Sequence, residues 1–250
     1  MTAHPKVTLV TCKSMPNLFK GEEGLLDELA ARGCDPQIKV WNDPDVDWSE
    51  AGMVVVRSVS DYASDRPAFL EWTKQLRRVQ NSADVLNWNT DKHYLKELAA
   101  LGMPTIPTNW LEPEQNLSKH QIHTRFPAFG EFVVKPAVSS GVRDIGRYTT
   151  VDTRQRQAAM RQVQGLLGEG RSVMIQRYVE EIDLHGEISL VFFNGLVSHA
   201  VEKRSALHPA SVSDPYVHEA VVTAEAADSV AWKWGEEIRR VLHGYVRSRL

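Results

Sequence analysis

The sequence predicts a mixed fold: a small parallel α/β layer at the front, then an α+β remainder with an antiparallel component. Three observations carry this. Short β-branched runs alternate with amphipathic stretches over residues 1 to about 85, the rhythm of strand–helix–strand units. EISLVFF and LVSHAVEK flank Asn194-Gly195, the strongest short hairpin signal, because both turn positions need positive φ. From Glu225 onward Val230, Trp234, Ile238, Val241, Leu242 and Tyr245 recur at helical spacing, which predicts a helix running to the end.

The front layer begins with a strand at Val7 to Val10. A helix over residues 22 to 32 follows, with Leu25, Leu26 and Leu29 on one face, Glu22 and Glu23 in its first turn and Gly33 behind it. Ile38 to Trp41 and Met53 to Val56 are two more strands, and Pro67 opens a helix that turns Phe69, Trp72, Thr73 and Leu76 to one side. In the second part, Thr90 and Asp91 are expected to cap a helix with Tyr94, Leu95 and Leu98 inward, closed by Gly102. Residues 112 to 129 are polar without a clear period and read as loop. Phe132 to Lys135 is a strand stopped by Pro136, followed by the small-residue segment AVSSGVRDIG. Residues 153 to 168 form a helix with Ala159, Val163, Leu166 and Leu167 aligned, and Val173 to Tyr178 is a strand.

Composition limits the function classes. The chain has 250 residues, 29 Lys+Arg against 32 Asp+Glu and a formal net charge of −3, so no field favours nucleic acid or an anionic membrane. Cys12 and Cys34 are the only cysteines, with no C-x-x-C, which argues against a disulfide scaffold or a cysteine zinc site. No secretory pattern and no membrane-length apolar run is present, so a cytoplasmic protein is expected.

Lys135 is the sharpest chemical feature. It ends the strand FVVK and is held by the proline behind it; a lysine so placed is a preorganised point charge for phosphate oxygens. Taken alone, a strand-end lysine is more often simply solvated. The segment Ala137 to Gly141 lacks bulk, so its backbone N–H groups can approach an anion. Neither a P-loop nor a G-x-G-x-x-G motif is present. Lys92 at a helix start fits best beside an anion, since the helix dipole disfavours a cation there, although a plain surface helix also accommodates it. Gln176 to Val179 runs from a strand into a connector and can offer an amide and free backbone groups to a purine edge, or be a strand end and nothing more. With a two-residue turn, Glu187 faces Glu202 and Gly186 faces Lys203, so Glu187 and Lys203 point to opposite faces unless a bulge intervenes. His199 and the other histidines show no metal-ligand spacing, and no G-x-S-x-G or Cys/His pairing supports nucleophilic catalysis.

The order of NWNTDKHYL, FVVKPAVSSGVRD, VMIQRYVEEID and HGEISLVFFNGLVSHAVEK resembles the ATP-grasp superfamily. Within it the chain is most similar to the O-ureido-serine cyclo-ligases of cycloserine biosynthesis, a similarity shared by VWNDPDVDW and VVVRSVSDYASDRPAFLEW near the front. The resemblance implies a Rossmann-like pre-ATP-grasp domain over residues 1–88, an ATP-grasp N-terminal and lid subdomain over 89–178 and a C-terminal subdomain over 179–250. It implies that Lys92 and Lys135 hold the α- and β-phosphates, that Ser139, Ser140 and Gly141 close over the γ-phosphate, and that Gln176, Arg177, Tyr178 and Val179 line the adenine pocket. Asp183 and Glu187 would take the ribose and Lys203 the phosphate chain. Arg57, Ser58, Ser60 and Tyr62, with Arg143 and His199, would meet the substrate. The partners so implied are ATP, Mg²⁺, a small amino-acid-like substrate and a second copy of the chain, with no nucleic acid and no membrane. The reaction is that of an ATP-dependent ligase: a substrate oxygen attacks the γ-phosphoryl group and a nitrogen then displaces phosphate. A nucleotide-binding module without catalysis is the alternative.

The chain departs from this pattern in one respect. The family closes with acidic residues on strands that ligate magnesium. After Lys203 this sequence offers Asp214, Glu219, Glu225, Asp228, Glu236 and Glu237, none in a strand-like context. A sequence short of its final metal-binding strands is expected, and the metal ligands stay unassigned.

Overall fold

The computed structural model describes residues 4–19, 21–203, 207, 219–222 and 229–249. The chain divides into two compact units, Met1–Lys92 with Val138–Gly141, and His93–Ala137 with Val142–Leu250. Among the described residues no helix is long and apolar enough to cross a membrane.

The first unit is a parallel α/β layer, as its sequence rhythm predicts. Strands β1 (Lys6–Thr11), β2 (Asp35–Val40), β3 (Met53–Ser58) and β4 (Val79–Gln80) pair in the order β2-β1-β3-β4, every pair parallel. Leu9 and Val10 of the interior strand β1 are buried in succession, the pattern of a strand covered on both faces. Helix α1 (Gly24–Ala31) half-buries Leu25, Leu26 and Leu29. Helix α2 (Arg66–Lys74) starts where the Asp65 carboxylate accepts the Ala68 N–H at 3.1 Å and Pro67 fits the first turn. Its Phe69 and Trp72 join Val10, Trp41 and Val54 in one core. Trp72 meets Trp41, Trp48 and Phe69 at ring-centroid distances of 5.0 to 6.0 Å.

One helix here is not in the sequence reading. Helix α3 (Ala83–Asn89) is capped by Ser82 and buries Leu86. Thr90, expected to open the next helix, instead closes this one, its hydroxyl donating to the Leu86 carbonyl at 2.6 Å. Helix α4 (Tyr94–Ala100) begins after His93, so Lys92 lies in the intervening turn and not in a first helical turn. The dipole argument for its placement therefore lapses.

The second unit contains two antiparallel sheets. The first has strands β5 (Thr108–Leu111), β6 (Glu131–Pro136), β7 (Gly146–Thr149) and β8 (Val173–Arg177) in the order β5-β8-β6-β7. Helices α5 (Lys119–His123) and α6 (Thr153–Gly168) pack on one face. There Leu111, Ile122, Phe132, Val134, Val163, Val173 and Ile175 form the core. The segment read as loop holds α5, which is short but doubly fixed at its start: Ser118 and Gln121 each accept the other's backbone N–H, a capping box.

Glu112, just ahead of it, accepts from His93 at 3.1 Å and Lys96 at 3.0 Å. Burial pushes its carboxyl up, but bonds from Ser172, Lys96 and His93 outweigh that and hold it down at about 2.

Helix α7 (Glu181–His185) leads to the second sheet, strands β9 (Glu187–Phe193), β10 (Leu196–Lys203) and β11 (Glu219–Val222) in the order β11-β10-β9. Asn194 and Gly195 both have positive φ, 50° and 77°, as the hairpin signal demands. Helix α8 (Ser229–Arg249) follows, and its Gly235 lies against Leu190 and Phe192 of β9. Strand β11 corrects one expectation: Glu219 does sit in a strand, opposite Lys203. Asp214, Glu225 and Asp228 lie outside the described residues, as does the expected helix start at Glu225. Glu236 and Glu237 are on α8, paired with Arg239 and Arg240.

The turn into β3 depends on one glycine. Gly52 has φ +68°, and a Cβ there would overlap the Lys6 carbonyl at the start of β1. Gly52→Ala is expected to destabilise the protein by about 2 kcal/mol or more, from left-handed strain plus displaced backbone. Urea unfolding measures this, and a loss under about 0.5 kcal/mol would contradict the packing described.

Candidate functional site

Alternation along β6 divides its side chains between two environments. Phe132 and Val134 enter the helix-covered core, so Val133 and Lys135 project from the opposite face. Cross-strand pairing extends this second face. Lys135 stands opposite Met174, and Val133 opposite Gln176. Gln176 is 5% exposed, and its amide donates to Thr108 Oγ1 at 2.7 Å. A lysine thus shares a largely buried sheet face with a glutamine amide. Burial pushes the Lys135 ammonium below the ordinary lysine value, while the Glu187 carboxylate works against that shift.

Glu187 and Lys203 come together through a bulge. Leu196 faces Phe193 and Val197 faces Phe192, but beyond Ser198 the register slips by one, so that Lys203 faces Glu187. The slip places Glu187, Lys203 and His199 on the face of the hairpin away from Leu190 and Phe192, and so away from α8. A regular hairpin would have separated Glu187 from Lys203. The extra residue is what sets Lys203 opposite Glu187 on one face, and its presence answers the question that the sequence left open. His199 Nδ1 lies 2.9 Å from Ser198 Oγ.

The connector after β8 is fixed at both ends. Tyr178 N–H donates to the Glu131 carbonyl at 2.9 Å, and the Ile182 N–H closes a turn on the Val179 carbonyl at 3.2 Å. The Tyr178 hydroxyl donates to Asp183, whose other oxygen pairs with Arg147 at 2.8 Å. Asp183, expected at a ribose, therefore has both oxygens engaged within the protein. Arg177 lies on the opposite side of β8 from Gln176, exposed, with its guanidinium 4.4 Å from the Phe129 ring centre. Among these four residues, Gln176 alone shares the Lys135 face by its place in the strand.

The remaining expected residues are placed as follows. In the first unit Lys92 donates to Ser139, 2.7 Å to Oγ and 3.1 Å to the carbonyl, and the Tyr62 hydroxyl donates to the same carbonyl at 3.1 Å. Gly141 has φ +61° with open space where a Cβ would be, and Ser140 is half-buried. Arg57 and Ser58 both bind the Glu22 carboxylate, and Ser58 Oγ also accepts the Phe19 N–H at 2.8 Å. Ser60 Oγ lies 3.8 Å from the Cys12 sulfur. In the second unit Arg143 is exposed in the turn before β7. Two residues with a part in these clusters escaped the sequence reading. Arg147 is embedded in the short strand β7, which the small-residue segment ahead of it concealed. Glu22 has the local signature of a first-turn helix acid and nothing more.

Among the described residues no three His, Cys, Asp or Glu side chains stand together as a metal cage. Mg²⁺ requires only one or two carboxylates beside phosphates and water, so the absence of a cage decides little. Glu187 acts on Lys135, and both Glu187 and Glu219 stand opposite Lys203 on neighbouring strands.

The lysine-bearing antiparallel sheet, followed by a hairpin sheet that sets a lysine opposite a carboxylate residue, agrees with the comparisons that define the class: this chain belongs to the ATP-grasp family. The solved D-alanyl-alanine synthetase A of Vibrio cholerae, 14% identical, matches 97% of this chain and 82% of its own with a TM-score of 0.64, a likeness of fold. Within the family the similarity is to D-cycloserine synthetase DcsG. Its crystal structure is 31% identical and matches 95% of this chain and 81% of its own, with a TM-score of 0.78. The cycloserine biosynthesis protein DcsG of Streptomyces lavendulae is 35% identical over 190 residues, 74% of this chain and 62% of that relative. The match thus spans less than two thirds of the curated relative's length. Residues 7–87 match the family described as D-cycloserine synthetase DcsG, N-terminal domain.

The environment of Lys135 has a measurable consequence without any ligand. Its folded-state pKa lies below the ordinary 10.5. Between that lowered value and 10.5 the unfolded chain binds more protons, so this group makes stability rise with pH across that window. Below the window the folded protein bears the full cost of a desolvated cation. Lys135→Met is therefore expected to raise the melting temperature of the nucleotide-free protein near neutral pH, by about 2–4 °C per kcal/mol relieved. The advantage should shrink as pH climbs through the window. Calorimetric melts at several pH values measure it, and a lower melting temperature for Lys135→Met at neutral pH would contradict the assignment.

Proposed function

We propose that this chain is an ATP-dependent ligase that activates a carboxylate as an acyl phosphate and joins it to nitrogen, closing a ring in an amino-acid derivative such as an O-ureido-serine. The observation that carries the reading is Lys135, a cation that β6 turns onto a largely buried sheet face beside Gln176, where a bound anion would offset its desolvation. Triphosphate is such an anion, and the resemblance to DcsG over the length of the fold supports the chemistry.

In the proposed reaction a substrate carboxylate oxygen bonds to the γ-phosphorus as the bond to the β,γ-bridging oxygen breaks, releasing ADP. The nitrogen then bonds to the acyl carbon, the carbon–oxygen bond to phosphate breaks, and the nitrogen loses its proton to solvent. There is no covalent chemistry for the protein to perform, only positioning and neutralisation of charge. Lys135 and Lys203 are assigned to the phosphate oxygens, with the Glu187 carboxylate acting on Lys135 and standing opposite Lys203 in the hairpin. Gln176 and the backbone of Arg177 to Val179 are assigned to the base, and the ribose falls to Glu187. Lys92 with Ser139 to Gly141 is assigned to phosphate, and Arg57, Ser58, Ser60, Tyr62, Arg143 and His199 to the amino-acid substrate. Mg²⁺, when bound to the phosphates, would spread their developing charge.

Titration calorimetry with ATP, followed by ADP and phosphate release across amino acids and O-ureido derivatives, tests the proposal. The expected result is ATP binding, ADP formation that depends on one of the ureido substrates, and an affinity for ATP at least about tenfold weaker in Lys135→Ala, the order expected for losing a charge-assisted contact. ATP binding with no turnover on any substrate would favour a non-catalytic nucleotide module, and no ATP binding at all would overturn the reading.

A further inference from the structure

Arg147 has no part in the assignments above, yet its side chain joins β6, β7, the segment after β8 and α7. It sits on β7 opposite Val133, which in turn faces Gln176 on β8, so Thr108, Gln176, Val133 and Arg147 form one cross-strand row on the Lys135 face. Its side chain is 16% exposed. The guanidinium uses its whole fork. Nε donates to the Glu131 carboxylate at 2.9 Å, with Nη2 on the same carboxylate, and Nη1 reaches Asp183 at 2.8 Å and the Leu207 carbonyl at 3.2 Å. Its flat face lies 3.7 Å from the centre of the Tyr178 ring.

We infer that Arg147 is a positioning residue for nucleotide binding, a clamp that holds the Tyr178–Asp183 connector in the conformation that reads the base and ribose. The inference rests on the nucleotide reading of Gln176 to Val179. Arg147 fixes the connector at two points, by stacking on Tyr178 and by pairing with Asp183, while Glu131 supplies both the opposing carboxylate and the carbonyl that accepts the Tyr178 N–H. Without the cation, the carboxylates of Glu131 and Asp183 would be partly buried with no positive charge between them, and the connector would move to separate them. Lysine cannot replace the arrangement, because one ammonium cannot span two carboxylates and a carbonyl while also stacking flat on a ring. In this account Asp183 acts through the connector's shape and Tyr178 is locked by its own hydroxyl.

The test compares Arg147→Met, Arg147→Lys, Asp183→Asn and the Arg147→Met/Asp183→Asn double variant with wild type, by ATP calorimetry, steady-state kinetics and thermal melts. Arg147→Met is expected to weaken ATP binding about tenfold, the scale of coupling within one ion-pair network, and Arg147→Lys to recover part of it. The KM for ATP should rise more than kcat falls. The double variant should bind ATP little worse than Arg147→Met alone, since both changes release the same connector. If Arg147→Met does not fold, Arg147→Lys and Asp183→Asn carry the same comparison. A lowered melting temperature with wild-type ATP affinity would overturn the inference, as would additive losses in the double variant. Failure of the wild type itself to bind ATP would overturn the underlying nucleotide reading, a distinct result.

Discussion

The second unit is organised around a cation that its own fold disfavours. Lys135 cannot turn into the helix-covered core, because Phe132 and Val134 fix the phase of β6, and on the opposite face it is half-buried beside the buried Val133, Met174 and Gln176. Strand alternation thus forces an ammonium into a site whose desolvation lowers its pKa. A protein selected for stability alone would place an apolar side chain there. The nearby carboxylate of Glu187 offsets part of the cost, and the bulge at Ser198 sets Lys203 opposite that carboxylate. Charge, register and strand phase are parts of one arrangement.

The connector beyond β8 is ordered by the same logic. Glu131, Arg147 and Asp183 form a chain of alternating charge across β6, β7 and α7, with the Tyr178 ring packed on the guanidinium. Fully partnered, such a network fixes one conformation; missing its central cation, it would leave two acids competing for solvent. The network therefore holds the segment that follows the buried, Thr108-bonded Gln176 amide in one arrangement.

Elements governed by local pattern were legible in the sequence. The parallel layer followed from β-branched runs separated by helical stretches, α6 from the spacing of Ala159, Val163 and Leu166, and the hairpin from Asn194-Gly195. Lys135 stood out because a strand end and a proline hold it. What escaped depends on partners distant in sequence. Pairing by turn length alone opposes Glu187 to Glu202, and nothing local announces the extra residue at Ser198. Thr90 has the composition of a helix start yet ends α3, because its hydroxyl finds the Leu86 carbonyl. Arg147 sits in a strand of four residues, too short for periodicity to speak, and its importance lies in Glu131 and Asp183, which flank it only after folding. Helix α5 was readable in principle from Ser118 and Gln121, a capping pair that the surrounding polar residues obscured.

The central claim is that Lys135 is a desolvated cation awaiting a polyanion. The most direct measurement is its own titration, followed by heteronuclear NMR of the lysine side chains with Lys135 assigned by its loss in Lys135→Met, in the free protein and with ATP. The account predicts a pKa below the ordinary lysine value without nucleotide and a rise when ATP binds. An ordinary value in the free protein, or one that ATP leaves unmoved, would contradict it.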